Sequence, residues 1–201
     1  MNKTVIGMTG GVGSGKSLVL SLLKERYGAC ILEADRISKR LIEKDGSAYG
    51  EIVGLLGRDI LDEEDNIRKA VMAERIFRDP EKRKAVNAIL HPATFRQVLR
   101  LTEEAPEALV VYESAIPVEA RFSELCDKIL YVYAPRRDRT ERLIRTRSYS
   151  PERCRNIMRS QPTEKEYRAM ADAVLDNSGT PEETARRLKR LLKKWGLAER
   201  S

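Results

Sequence analysis

Thr4-Val5-Ile6-Gly7-Met8-Thr9-Gly10-Gly11-Val12-Gly13-Ser14-Gly15-Lys16-Ser17 is the stretch from which the fold is read. Its first six residues form a short, near-continuous apolar run, the pattern of a strand buried on both faces. Gly10 to Ser17 satisfies G-x-x-x-x-G-K-[ST], and a helical signal follows from Lys16 to Arg26. Strand, glycine loop and helix in that order are what a phosphate-binding loop requires. The glycines let the backbone wrap with its N–H groups inward, so that these amides and the helix N-terminus surround a nucleotide's β-phosphate. In that role Gly11, Val12, Gly13, Ser14 and Gly15 line the phosphates. Lys16 bridges the β- and γ-phosphate oxygens as a point charge, the Ser17 hydroxyl ligates Mg²⁺, and Leu18 offers its N–H to the α-phosphate. The rival reading is a glycine-rich turn with a coincidental Gly-Lys-Ser, and the strand–loop–helix context counts against it.

Four more short apolar runs lie beyond the loop: Ala29-Cys30-Ile31-Leu32, Leu109-Val110-Val111-Tyr112, Ile129-Leu130-Tyr131-Val132-Tyr133 and Ala173-Val174-Leu175. Amphipathic stretches separate them, so the class is α/β with a five-stranded parallel sheet covered on both faces. Helices are expected from Ser47 to Leu56 before Gly57, from Arg68 to Phe77, and after Asp79-Pro80. Thr180-Pro181-Glu182-Glu183 opens a last helix with a capping box and proline at its first position; Ala185, Leu188, Leu191, Leu192 and Trp195 follow at helical spacing. The interval from Asp35 to Pro106 is too long for a simple crossover and reads as wholly helical, a lobe (36–106) beside the core.

The chain has 201 residues; 38 Lys+Arg against 31 Asp+Glu give a net charge of +7. One domain with a small inserted lobe is expected at this length, burying roughly 70% of the surface the unfolded chain exposes. Hydrophobic residues at 41% exclude disorder as the main state. The sequence has no apolar run of membrane-spanning length and no signal-peptide pattern after Met1-Asn2-Lys3, which points to a cytoplasmic protein. Cys30, Cys126 and Cys154 are widely spaced and fit neither a disulfide framework nor a zinc site; Cys30 and Cys126 read as small core residues.

Glu33-Ala34-Asp35 is expected to end the second strand, at the carboxyl edge of the sheet where ligands of open α/β folds bind. Two residues apart on a strand, both carboxylates leave on the same side, and either can take the proton of a phosphoryl acceptor. The alternative is that Asp35 caps a helix beginning at Arg36. Between residues 136 and 155 eight arginines stand against three acidic residues, with no lysine. Arginine alone favours forked contact with phosphates, while a solvated helix face is the plainer reading. His91-Pro92 falls inside the helical lobe, where proline is expected to kink the helix; the lone histidine reads equally as a structural residue or a substrate contact.

Taken together, these residues resemble the dephospho-CoA kinase family, relatives of the nucleoside monophosphate kinases. The resemblance runs from about Val5 to Leu192. It includes Gly7 to Ser17, Glu33-Ala34-Asp35 against the family's Asp-Ala-Asp, Phe77-Arg78-Asp79-Pro80-Glu81, Leu90-His91-Pro92, Gln161, and Ala171-Asp172-Ala173-Val174-Leu175-Asp176-Asn177-Ser178-Gly179. It implies a three-layer P-loop NTPase fold, a helical substrate lobe and an arginine-rich lid at about 136–165. It also implies Mg²⁺-dependent transfer of the ATP γ-phosphoryl to the ribose 3′-hydroxyl of dephospho-CoA, giving coenzyme A and ADP. By the same resemblance Asp35 is the base, Asn177 borders adenine, Arg142 belongs to the lid, and Lys39, Arg40 and His91 join Asp35 toward dephospho-CoA. The chain departs from the family at Glu33 for Asp, Leu18 for Thr, Lys39 for Arg and Thr146-Arg147 for Arg-Asp. It also has Ala115-Ile116-Pro117-Val118-Glu119 where the family has Pro-Leu-Leu-Phe-Glu.

Two other functions fit parts of this pattern. A kinase of another small metabolite or nucleotide would use the same loop and acidic residue. A nucleotide-gated nucleic-acid-binding protein would use the basic charge, yet three Phe and one Trp offer little for base stacking. The expected partners are ATP and dephospho-CoA, with no membrane or nucleic acid among them.

Overall fold

The structure, a computed structural model, describes residues 3–117 and 120–200. Val118 and Glu119, the end of the stretch compared with Pro-Leu-Leu-Phe-Glu, lie outside the described residues. Two compact units form: the residues up to Leu32 together with those from Ala105 onward, and Glu33–Glu104.

The first unit is built on five parallel strands: β1 (Thr4–Thr9), β2 (Cys30–Glu33), β3 (Leu109–Glu113), β4 (Lys128–Tyr133) and β5 (Ala173–Asp176). Their order across the sheet is β2-β3-β1-β4-β5. β1 is central, with Thr4 opposite Leu109 and Met8 opposite Glu113 on one side, and Ile6 opposite Lys128 and Thr9 opposite Tyr131 on the other. Since the chain passes from β1 to β2 on one side and from its neighbour β3 to β4 on the other, the loop after β1 sits at the switch point where ligands bind in open α/β sheets.

Both faces of β1 are covered, which is why its sequence reads as one apolar run rather than an alternation. Ile6 and Met8 are buried with Val111, Leu130, Val132 and Leu175 beneath Val19 and Leu23 of α1 (Lys16–Tyr27) and Leu188 and Leu192 of α10 (Pro181–Lys194). On the other face a Cβ at Gly7 would stand 2.9 Å from Cys126 Sγ and against the ring of Phe122, from the short α6 (Phe122–Leu125). That ring also packs 5.2 Å from Tyr112. The start of α10 is the capping box of the sequence: the Thr180 hydroxyl accepts from Glu183 N–H, and the Glu183 carboxylate accepts from Thr180 N–H at 2.9 Å. Caps of this kind contribute about 1 kcal/mol each. Three further helices, α7 (Arg136–Arg147), α8 (Pro151–Arg159) and α9 (Glu164–Met170), fill the chain between β4 and β5.

The second unit holds α2 (Ala34–Leu41), α3 (Tyr49–Leu56), α4 (Lys69–Arg78) and α5 (Pro80–Glu104). α5 packs against the other three, and Ile37, Leu41, Ile52, Met72, Val86 and Phe95 are buried. Two expectations are corrected here, that of a wholly helical interval and that of Asp35 as a strand residue. α5 continues through His91-Pro92 as one 25-residue helix. Buried Val86 before the proline, and Ala93, Phe95 and Val98 after it, hold both halves although Pro92 donates no hydrogen bond. The interval is not wholly helical: Leu61 and Ile67 form an antiparallel bridge, closed by Asp62, whose carboxylate accepts from Asn66 N–H at 2.7 Å and Glu64 N–H at 3.1 Å. Finally, β2 stops at Glu33 and α2 starts at Ala34, so Asp35 lies in the first helical turn. Neither strand alternation nor a capping role before Arg36 describes it.

Of the cysteines, Cys154 is the fully buried one, while Cys30 and Cys126 are half-buried. Among the described residues no helix is long and apolar enough to cross a membrane.

Candidate active site

Gly10 to Gly15 wrap between β1 and α1 as the motif requires. Gly13 and Gly15 have φ of +80° and +89°, left-handed conformations that a side chain would strain. A Cβ at Gly13 would also stand 2.8 Å from Arg139 O, and one at Gly15 would run into Asn177 Nδ2. Within the loop, Ser14 N–H donates to Gly11 O at 3.1 Å. Lys16 Nζ donates to Gly10 O at 2.6 Å and pairs with Glu113 at 3.5 Å, both side chains mostly buried. Glu113 ends β3 opposite Met8, so the sheet register delivers a carboxylate beside the loop lysine. The sequence reading missed it; a single acidic residue closing an otherwise apolar strand was the available signal.

Two loop residues expected to offer free amides have other partners. Leu18 N–H donates to Gly15 O at 3.1 Å, an early bond of α1. Val12 N–H donates to Gln161 Oε1 at 2.9 Å, and Val12 O accepts from Arg139 Nε at 2.8 Å. The N–H groups of Gly13 and Gly15 have no partner among the described residues, and the Ser17 hydroxyl is on the exposed side of the first turn. Ser14 Oγ and Thr9 Oγ1 are buried without a hydrogen-bond partner among the described residues. The unpartnered N–H groups of Gly13 and Gly15, together with the N-terminus of α1, are the groups that suit an anion.

Asn177 and Arg142 brace the loop where it enters α1. Asn177, 3% exposed, donates from Nδ2 to Ser14 O at 2.7 Å and accepts at Oδ1 from the buried Thr184 hydroxyl at 2.7 Å. Arg142 donates to Asn177 O at 2.7 Å and more weakly to Ser14 O at 3.4 Å. The resemblance set Asn177 beside adenine and Arg142 on a moving lid; in this structure both side chains bond to backbone of the loop or its neighbour. Arg139 is half-buried, and burial pulls its pKa below the ordinary arginine value, partly offset by Tyr131 and Tyr167. Those two rings stack at 4.9 Å, and Tyr167 donates its hydroxyl to Ala115 O, burial pushing its pKa up to about 12.

In the second unit Asp35, Lys39 and Arg40 are exposed on α2, Asp35 and Lys39 one turn apart, and His91 is half-buried on α5, which packs on α2. These four share a helix pair, with Asp35 directly after the carboxyl end of β2.

Comparison with known proteins bears on this arrangement. The profile of the dephospho-CoA kinase family matches residues 4–183. A dephospho-CoA kinase of Carboxydothermus hydrogenoformans is 31% identical over 194 residues, covering 95% of this chain and 94% of that one. A solved chain from Thermus thermophilus superposes with a TM-score of 0.83 at 29% identity, covering 96% and 98% of the two chains. The dephospho-CoA kinase of Campylobacter jejuni shares the fold, with a TM-score of 0.70 at 18% identity over 96% and 97%. With its family profile spanning both units and its glycine loop formed at the carboxyl end of β1, the chain belongs to the dephospho-CoA kinase family.

Proposed function

We propose that the protein transfers the γ-phosphoryl group of ATP to the ribose 3′-hydroxyl of dephospho-CoA, giving coenzyme A and ADP in the cytoplasm. The observation that carries this reading is the phosphate-binding loop with Lys16 set beside Glu113, in a chain of this family. Gly11 to Leu18 is the ATP segment, and Lys16 places its charge on the β- and γ-phosphates. Asp35 receives the hydroxyl proton as the oxygen–phosphorus bond forms and the bond to the β-phosphate oxygen breaks, releasing ADP. Its exposure on α2 leaves the carboxylate accessible to an acceptor. Lys39, Arg40 and His91 are the other residues assigned to dephospho-CoA, two of them cations suited to its phosphates.

The oxygen donors near the loop, the Ser17 hydroxyl and the Glu113 carboxylate, suit Mg²⁺. This ion favours one or two protein oxygens together with substrate phosphates. When bound, it neutralises charge on the transferred phosphoryl group. Arg136, Arg145, Arg147 and Arg155 are exposed and remain available to phosphate oxygens. Membrane and nucleic acid have no part in this reading.

The test is ADP release from the purified protein with ATP and Mg²⁺, with and without dephospho-CoA. Strong stimulation by the acceptor and formation of coenzyme A are expected; equal release in both arms overturns the assignment.

A further inference from the structure

We propose that Arg139 and Gln161 act as a positioning pair that holds the tip of the phosphate-binding loop in the shape that receives nucleotide. This inference rests on the reading of the loop as the ATP site. Four groups close a ring. Val12 N–H donates to Gln161 Oε1 at 2.9 Å, Arg139 Nη2 donates to the same oxygen at 3.3 Å, and Arg139 Nε donates to Val12 O at 2.8 Å. Both polar groups of one loop residue are thus satisfied by side chains 127 and 149 positions away. Gly11 lies directly against Arg139: a Cβ there would overlap the guanidinium.

A loop with glycine at 10, 11, 13 and 15 has much conformational freedom to lose, and glycine loses more of it on ordering than any other residue. A loop already fixed in the free protein gives up less on binding, so nucleotide affinity rises without any new contact to the ligand. The braces divide the work by position. Asn177 and Arg142 act on Ser14 where the loop enters α1, whereas Arg139 and Gln161 act on Val12 at the far turn. Gln161 belongs to the link between α8 and α9, so this link takes part in shaping the loop. The bonds are charge-assisted on the arginine side and half-buried, which raises their worth above that of an exposed pair.

The experiment compares Gln161→Met, which keeps the shape but removes the acceptor, with Gln161→Glu, which keeps an acceptor beside a cation. Binding of a non-hydrolysable ATP analogue with Mg²⁺ is measured by titration calorimetry without acceptor substrate, after thermal melts establish that each variant is folded. Gln161→Met is expected to weaken binding on the order of 5- to 30-fold, the effect of one or two lost hydrogen bonds, and Gln161→Glu by less than about 3-fold. In steady state the loss should appear in KM for ATP, with kcat within about 3-fold of wild type. Amide exchange at Val12 in the free protein should be slow in wild type and Gln161→Glu and fast in Gln161→Met. Arg139→Met combined with Gln161→Met should weaken binding by less than the product of the single effects, because the two side chains share one ring. Binding by Gln161→Met within about 2-fold of wild type, or equal losses in Met and Glu variants, overturns the proposal. Wild-type protein that binds the analogue but is not stimulated by dephospho-CoA defeats only the acceptor assignment; wild type that binds no nucleotide defeats both.

Discussion

Replacing Asn177 by alanine should unfold the protein at a visibly lower temperature, and the size of the drop follows from its two bonds. The side chain is 3% exposed and spans Ser14 O and the Thr184 hydroxyl, each at 2.7 Å, with Thr184 itself fully buried. After truncation Ser14 O keeps only the 3.4 Å approach of Arg142, and Thr184 loses its acceptor. A buried donor left without a partner costs about 1–3 kcal/mol, and the lost bond to the carbonyl about 1 kcal/mol more. The total is roughly 2–4 kcal/mol, which at this chain length lowers Tm by about 5–15 °C. Asn177→Asp should be at least as harmful, since it turns a second acceptor toward Ser14 O. Ser178→Ala is the control; its side chain is exposed one residue away and should change stability by less than about 0.5 kcal/mol. Thermal unfolding followed by circular dichroism, without nucleotide, reads all three. A Tm for Asn177→Ala within about 2 °C of wild type would refute the claim that this side chain fastens the loop.

Two more outcomes are open to direct measurement. Asp35→Asn should lower kcat by about 10²–10⁴ while leaving ATP-analogue affinity near wild type, because it removes a proton acceptor without touching the loop; a near-normal kcat removes Asp35 as base. Burial pushes the Cys126 thiol up to about 12, so the native state favours its protonated form. That contribution is fully present below the ordinary thiol range and is lost as pH climbs toward 12. Between about pH 8 and 10.5 wild type should therefore lose roughly 2 kcal/mol more stability than Cys126→Ser, read from urea midpoints. Parallel slopes for the two proteins contradict it.

The strands were legible because burial on both faces leaves a continuous apolar run, and all five runs became strands with ends moved by at most one residue. The helix starts at Thr180 and Lys16 were legible because capping and glycine-loop chemistry are local. What escaped depends on contacts distant in sequence. Asp35 looked like a strand residue because nothing in Glu33-Ala34-Asp35 announces that Ala34 is already helical. That α5 runs on past Pro92 was not legible either, because the packing that keeps it continuous comes from three other helices. Glu113, Arg139 and Gln161 drew no role of their own, since their partners in the loop, Lys16 and Val12, are more than ninety residues away and no periodicity encodes such pairs.

The arginine-rich stretch shows how composition and position differ as evidence. Eight arginines in twenty residues suggested one common task, the gripping of phosphates. The structure divides them. Arg139 and Arg142 donate to carbonyls of Val12, Ser14 and Asn177, Arg137 pairs with Glu141 at 2.9 Å, and Arg153 lies over the Tyr149 ring at 4.0 Å. A guanidinium that serves a backbone carbonyl still adds positive potential to the loop, because its charge is only weakly screened where water is scarce. The inner arginines thus favour an anionic guest by field and by holding the loop's shape, without needing to touch it. A nucleic-acid surface works differently, with exposed cations and stacking rings set along an extended track. Here the aromatic rings nearest the inner arginines, Tyr131 and Tyr167, are buried and stack on each other. The stretch is thus divided: Arg139 and Arg142 turn inward to the loop, while Arg136, Arg145, Arg147 and Arg155 stay exposed.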